Sequence, residues 1–472
     1  MKGDRMNFLL SLVSGLIMWL AFPPFSLFFV IWGALVPLFV AIARSKTIKE
    51  AFLHGMLCGS FFFGGALFWI NTLTQWAGAW ATVGYALLVV FQALFIAAFS
   101  SLMFYILKKQ KGLEVILIPV IWVAFEWLRS LGPFGVTGGG LGYSQVDFLV
   151  LAQIARLSCV YGISLLVLVV NVILFELIIS GTDLLSKLNQ RRTELVVVAL
   201  LFVAVLSYGT VRLSQDFTRT AKVKVSVIQA AIPQDIKLDP GQVYPIVDLH
   251  EILSKKALSD RPQIIIWPET AVTTYLNLAS SVQGQIVKLV RQSKAYYLIG
   301  VSHTTGSRNY NSVAAFSPDG KVVGRYNKQR PVPFGEYLPI RPLLYPILKG
   351  IDLFAEDYHS DPSGNIIDLG IAKVGVVICF ESTFPALVRS RVKKGADFIV
   401  VATNDSWFGR SAALTQHLQA SRMRAIENGV YVVQAANTGI SAIIDPAGRI
   451  LKRTNIDEEA ILTGDVHLKH AK

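Results

Sequence analysis

Cys379 ends the apolar run Val374-Gly375-Val376-Val377-Ile378 and is followed by Phe380-Glu381-Ser382. A thiol at the end of a buried strand is a place where an enzyme can hold a nucleophile. Two more apolar runs end in the groups such a thiol needs. Residues 264–266 lead into Trp267-Pro268-Glu269, and 322–326 lead into Asn327-Lys328. A carboxylate can take the thiol proton, and an ammonium can stabilise thiolate and oxyanion. Free cysteine is more often core packing than chemistry, so its neighbours decide. Glu381 lies two residues on, Glu336 closes the polar tract 325–336, and Asn404-Asp405-Ser406-Trp407-Phe408-Gly409 follows a further strand-like run, 398–402. Polar groups placed repeatedly after strand ends point to one shared pocket. In this reading Glu269 is the base and Lys328 the cation, and a backbone N–H near Phe380 shares the oxyanion with Lys328.

The elements that position these residues fall in the second half of the chain. Residues 222–468 alternate apolar strand runs, at 223–229, 263–267, 297–302, 311–316, 374–379, 398–403, 430–435 and 441–444, with helical stretches near 246–258, 281–293, 383–394 and 413–428. Ser317-Pro318-Asp319-Gly320 and Asp445-Pro446-Ala447-Gly448 carry the Pro-x-Gly chemistry of hairpin turns. The first half has a different composition. The chain is 53% hydrophobic and only 16% charged, and the apolar excess is concentrated before about residue 213, which divides it into two domains.

Seven segments, 6–22, 25–43, 51–72, 79–107, 113–131, 160–181 and 194–213, are at or near the length that crosses about 30 Å of hydrocarbon. The first begins like a secretory signal, but Phe22-Pro23-Pro24 is a poor cleavage site and more apolar segments follow at once. Arg44, Lys46 and Lys49 follow the second segment, Lys108, Lys109 and Lys111 the fourth, and Lys187, Arg191 and Arg192 the sixth, whereas the loops after the first and third have no Lys or Arg. With Lys2 and Arg5 inside as well, the positive-inside rule puts everything after about 213 on the outer face, the periplasm of a Gram-negative cell. Cys379 is then a free thiol in an oxidising compartment, which favours a functional role.

Several readings lose ground on composition. The net charge of +13 is explained largely by the basic loops, with the remainder suited to anionic lipid. There is no nucleic-acid motif, HExxH or zinc-spaced Cys/His cluster, so neither metal nor cofactor is expected. Gly138-Gly139-Gly140-Leu141-Gly142 lacks a following Lys-Ser/Thr and reads as a re-entrant turn with close backbone packing. Glu126 and Arg129, three apart near the end of the fifth segment, can pair across one helical face.

Taken together, WPE at 267–269, YNKxxxVPFGE at 326–336, CFES at 379–382, NDSWFG at 404–409 and QHLQASRMRAIE at 416–427 resemble the bacterial apolipoprotein N-acyltransferase family. The resemblance covers nearly the whole chain and implies a multi-span α-helical membrane domain, 1–213, followed by an α/β nitrilase-like α-β-β-α sandwich, 222–468. It implies that the Cys379 thiolate takes an acyl chain from a membrane phospholipid as a thioester and passes it to the amino group of a diacylglyceryl-cysteine on an apolipoprotein. It assigns Glu336 as a second active-site glutamate, with Phe380 supporting and Glu381 and Trp407 beside the substrate. Glu126 and Arg129, with Gly142-Tyr143-Ser144-Gln145, match a family motif pair at the membrane edge.

Two departures stand out, Phe380 where relatives often have tyrosine and Leu238 where some have tryptophan. The chain closes on the polar tail 467–472, where family members commonly add another membrane helix. Between Glu336 and Cys379 lie Leu343, Leu344, Leu348 and Phe354, too many apolar residues for an ordinary solvated loop. They are expected to form a lid that faces the bilayer. The expected partners are phospholipid, apolipoprotein and bilayer, with no nucleic acid, and the chain is expected to be monomeric.

A membrane-tethered amidase that passes the acyl group to water remains open, as does a non-catalytic lipid-binding module or transporter. Against the transporter, no inverted repeat is present. The loop charges make a topological expectation: reporters fused at residues 46, 110 and 190 report cytoplasm and a fusion at 300 reports periplasm. A cytoplasmic signal at 300 would overturn the seven-segment count.

Overall fold

The computed structural model describes residues 2–109, 112–179, 188–189, 191–349 and 357–470. It divides into two compact units, Met1–Gln215 and Asp216–Lys472. Lys111, Lys187, Leu353 and Phe354, and the fusion points 110 and 190, lie outside the described residues.

The first unit is helical. The helices Ala79–Lys109, Ala155–Ile179 and Arg192–Leu213 are long and apolar enough to cross a membrane, and Ile48–Ala66 with Phe68–Ala77 makes a fourth if that pair, bent by 55°, is one span. The helices at the other three expected spans do not fill them. The first helix stops at Leu20, just before the Pro23-Pro24 turn. The second segment opens as a 3-10 stretch, Phe28–Trp32, and becomes α-helical only over Val36–Arg44. The fifth, Glu114–Leu128, has 15 residues, a rise of about 22 Å.

Glu126 and Arg129 do not pair directly. Glu126 accepts from Trp122 Nε1 at 2.9 Å and from the Leu141 amide at 2.8 Å, while Arg129 donates to the Gly138 carbonyl at 2.6 Å. Both therefore hold the glycine-rich loop, and Arg129 caps the end of its helix rather than extending it. The loop needs its glycines, because a Cβ on Gly142 would sit 2.3 Å from the Val160 carbonyl oxygen.

The second unit is built on two sheets. The strands are β1 Lys222–Gln229, β2 Ile264–Ile266, β3 Val272–Tyr275, β4 Tyr296–Thr305, β5 Arg308–Phe316, β6 Val322–Asn327, β7 Ile367–Asp368, β8 Lys373–Ile378, β9 Phe398–Thr403, β10 Val432–Ala436, β11 Ala442–Ile444, β12 Ile450–Arg453 and β13 Ala460–His467. One sheet runs β13-β1-β2-β4-β5-β6, with β3 beside β4, and the other runs β12-β11-β10-β9-β8-β7. The centres, β1-β2-β4 and β8-β9-β10, are parallel.

Alternation along a strand sends successive side chains to opposite faces, and the packing follows it. Ile264 and Ile266 join Val225, Val376, Ile378 and Val400 in the core between the sheets. Ile265 and Trp267 join Ile286 and Leu289 of the outer helix Ser280–Ser293. Helices Pro385–Lys393 and Ala412–Asn428 lie on the far side of the second sheet, which completes an α-β-β-α order. The two Pro-x-Gly segments are turns joining antiparallel neighbours, β5 to β6 and β11 to β12, with Gly320 and Gly448 both at φ +80°. β3, β7 and the edge strands β12 and β13 were not anticipated; β3, β7 and β12 have four residues or fewer, and the apolar pattern of β13 is interrupted by Thr463, Gly464 and Asp465.

Candidate active site

The site lies where strand ends of both sheets converge. β2 delivers Glu269, β6 delivers Lys328, β8 delivers Cys379 and β9 delivers Asn404. Lys328 is 1% exposed, with Nζ 3.2 Å from Glu269 Oε1 and 2.9 Å from Glu336 Oε2. Burial alone would lower its pKa, but the two carboxylates outweigh that and hold it well above the ordinary lysine value, so it stays an ammonium. The second oxygen of Glu269 accepts from the Asn404 amide at 2.7 Å, which ties one sheet to the other.

Asn311, on β5, was not anticipated. Its Nδ2 donates to Glu269 Oε1 and to Glu336 Oε1, both at 2.7 Å, so one amide bridges the two carboxylates. Asn311 has the strand parity of buried Val313 and Ala315, and a polar residue in that row is the signal that would have found it. Lys237 was also missed. It is buried and donates to the Glu269 backbone carbonyl at 3.1 Å, and burial pulls its pKa down to about 7.

Cys379 is a free, half-buried thiol with φ +52°. A non-glycine residue in that region is strained by roughly 1–3 kcal/mol and persists only where its surroundings hold it. Burial, with the Glu269 charge beside it, pushes the thiol pKa well up against the opposing pull of Lys328. The resting sulfur is therefore protonated and needs a base.

The remaining expected residues divide. Glu381, read as lying beside the substrate, is fully enclosed, and its oxygens accept from Tyr326 Oη at 2.8 and 2.9 Å, the Gln329 amide at 2.7 Å, the Arg330 amide at 2.9 Å and the Ile378 amide at 2.8 Å. With four donors on it, this carboxylate fastens the lysine loop to the cysteine turn and has no surface left for a substrate. Phe380 is half-buried and meets Phe384 edge-on at 4.9 Å. Trp407 is half-buried on the turn Asp405–Phe408.

Of the lid residues, Leu343 is 65% exposed on the helix Arg341–Leu348, but Leu348 turns inward and packs with Leu338, with Leu344 against them. Ile340 and Ile347, 67% and 61% exposed, take the outward places instead. Leu238 is exposed. Glu381→Gln would turn an N–H toward the donors the carboxylate serves. Each buried group left unpaired costs about 1–3 kcal/mol, so this variant is expected to lower the thermal midpoint of the purified protein. An unchanged midpoint would refute the fastening role.

The chain is similar to known proteins over nearly its whole length. Residues 14–173 match the apolipoprotein N-acyltransferase N-terminal domain, and residues 224–472 match the carbon-nitrogen hydrolase family. The apolipoprotein N-acyltransferase of Geobacter metallireducens is 34% identical over 98% of this chain and 90% of its own. That of Rickettsia prowazekii is 30% identical over 90% of this chain and 84% of its own. Among solved structures, Nit3 of Saccharomyces cerevisiae, a member of the nitrilase superfamily, aligns with a TM-score of 0.42 at 17% identity over 54% of this chain and 92% of that one. On this full-length similarity, the chain belongs to the apolipoprotein N-acyltransferase family.

Proposed function

We propose that this protein moves a fatty acyl group from a membrane phospholipid, through a thioester on Cys379, to the α-amino group of a diacylglyceryl-cysteine at an apolipoprotein N-terminus. The observation that carries the reading is a half-buried thiol at a strained strand end, beside a buried cluster of two carboxylates and one ammonium. In the first half-reaction Glu269 takes the thiol proton while sulfur attacks the ester carbonyl. The C–S bond forms and the C–O bond breaks, and the proton passes to the departing oxygen of the lysophospholipid.

An ammonium has three N–H groups, and two of those of Lys328 are directed at Glu269 and Glu336. The third is available to the oxyanion, together with a backbone N–H of the turn at Phe380. In the second half-reaction the amine attacks the thioester, the C–N bond forms and the C–S bond breaks, and sulfur recovers a proton. Glu336 is suited to orient the incoming amine, because Asn311 and the Val332 amide hold its carboxylate in place. The apolar helices of the first unit support residence in a bacterial inner membrane, with seven spans and a periplasmic second unit as the loop charges require. The chain is read as a monomer.

Two expectations test this reading. Leu343 and Ile347 are suited to dip into lipid, where burying each is worth about 1.5–3 kcal/mol. Leu343→Asp with Ile347→Asp should slow acyl loading from vesicles and leave the fold intact, whereas unchanged loading would reject membrane docking by this helix. Intact mass measurement of the wild-type protein with phospholipid should show an acyl adduct on Cys379 that discharges to N-acyl peptide when a diacylglyceryl-cysteinyl peptide is added. Cys379→Ala should abolish the adduct, and Glu269→Gln should slow its formation by on the order of 10² to 10⁴-fold. Discharge to free fatty acid without peptide would indicate a hydrolase, and no adduct at all a lipid-binding module.

A further inference from the structure

A second polar system, separate from the Lys328 cluster, runs behind the cysteine. His417, on the helix Ala412–Asn428, faces oxygen at both ring nitrogens. Nδ1 lies 3.0 Å from Asp405 Oδ1, and Nε2 lies 3.1 Å from the Cys379 carbonyl oxygen and 2.7 Å from Ser382 Oγ. Asp405 is 1% exposed and accepts from Thr403 Oγ1 at 2.8 Å, and the Thr403 side chain reaches the Cys379 thiol. We propose that His417 is a positioning residue for acyl loading, its ring spanning from Asp405 to the Cys379 carbonyl and holding the nucleophile turn in its strained conformation.

The argument starts from hydrogen-bond capacity. A carboxylate and a carbonyl only accept, and a neutral imidazole has one N–H to offer two such groups. The neutral ring with its N–H on Asp405 would accept from Ser382 Oγ at Nε2 and turn a lone pair on the Cys379 carbonyl, whereas an imidazolium donates to Asp405 at one nitrogen and toward the Cys379 carbonyl and Ser382 at the other. Burial is the largest influence and opposes that charge, but the Asp405 charge and hydrogen bond, with the Cys379 carbonyl and Glu269, together raise the His417 pKa above the ordinary imidazole value. The carbonyl being held belongs to the residue at φ +52°, the backbone that relaxes if the contact is lost.

The groups facing the ring from neighbouring elements are Asp405 after β9, Glu269 after β2, and the Cys379 turn with Ser382 after β8. On its own helix, Arg424 pairs with Glu427 at 3.0 Å. The sign follows. The charged ring holds the turn, so the contact is lost as pH rises through the His417 pKa, and acyl loading at Cys379 should fall on that alkaline side, while alkylation, which needs the thiolate, should rise less steeply with pH than it does when the contact does not titrate.

This inference rests on the thioester reading for what loads Cys379, so the test uses two readouts. Wild type, His417→Ala and His417→Gln are compared for the rate of Cys379 alkylation by iodoacetamide and for acyl loading from phospholipid vesicles, across neutral to alkaline pH. The glutamine amide places a donor near the position of Nε2 and does not titrate. Loss of a charge-assisted hydrogen bond should slow His417→Ala by on the order of tenfold or more in both readouts. His417→Gln should recover much of the rate, lose the alkaline fall in acyl loading, and alkylate with a steeper rise in pH than the wild type. Equal rates in all three proteins would overturn the positioning role, as would His417→Gln behaving like His417→Ala or keeping the wild-type pH profile. Slower alkylation in His417→Ala, in a wild type that forms no acyl adduct, would uphold the positioning role and refute the thioester reading.

Discussion

The site depends on burying one ammonium between two carboxylates. Charge removed from water is costly unless it is paired and hydrogen-bonded, and Lys328 is 1% exposed. Glu269 and Glu336 meet that requirement, and the Asn311 amide and the Asn404 backbone satisfy oxygens that Lys328 does not. The cluster carries more negative than positive charge and faces a thiol whose pKa it helps to raise. Those two facts belong together. On the proposed reading, the carboxylate that takes the proton also discourages the thiolate from forming before a substrate carbonyl is there to receive it.

The same arrangement explains why two sheets are needed. Glu269, Asn311 and Lys328 come from one sheet, Cys379 and Asn404 from the other, and the apolar core between them sets their spacing. Two buried contacts lock the strand ends across that gap. Asn404 donates to Glu269, and Tyr326 at the end of β6 donates to Glu381 after β8. Arg391 reinforces the second, donating to Tyr326 Oη at 2.9 Å and lying over its ring at 4.9 Å. The cysteine turn is therefore held on one side by Glu381 and on the other by His417, and neither residue has to touch the substrate to matter.

In the first unit a comparable economy applies at smaller scale. Glu126 and Arg129 spend their hydrogen bonds on the backbone of the glycine-rich loop instead of on each other. Backbone groups away from water need partners, and a loop cannot supply them from within itself as a helix does. Two charged side chains placed at the end of one helix supply them instead.

Strand periodicity read from the sequence alone was enough to find most inner strands, and the polar residues at their ends offered Glu269, Lys328, Glu336 and Cys379 as candidates. These features are local. A strand end followed by a polar residue is visible within a few positions, because alternation and burial act along the chain. What the sequence could not assign were the partners of those residues. Asn311 looked like the start of a strand, His417 and Asp405 were letters inside motifs, and Glu381 was read as facing the substrate when its Oε1 accepts from backbone amides 51 and 52 residues away and its Oε2 from Tyr326 and the Ile378 amide. Leu343 and Leu348 were read as equivalent, and the helix turned one outward and the other inward. Hydrogen-bond satisfaction and side-chain direction depend on which distant strand ends meet, and only the packing of the two sheets decides that.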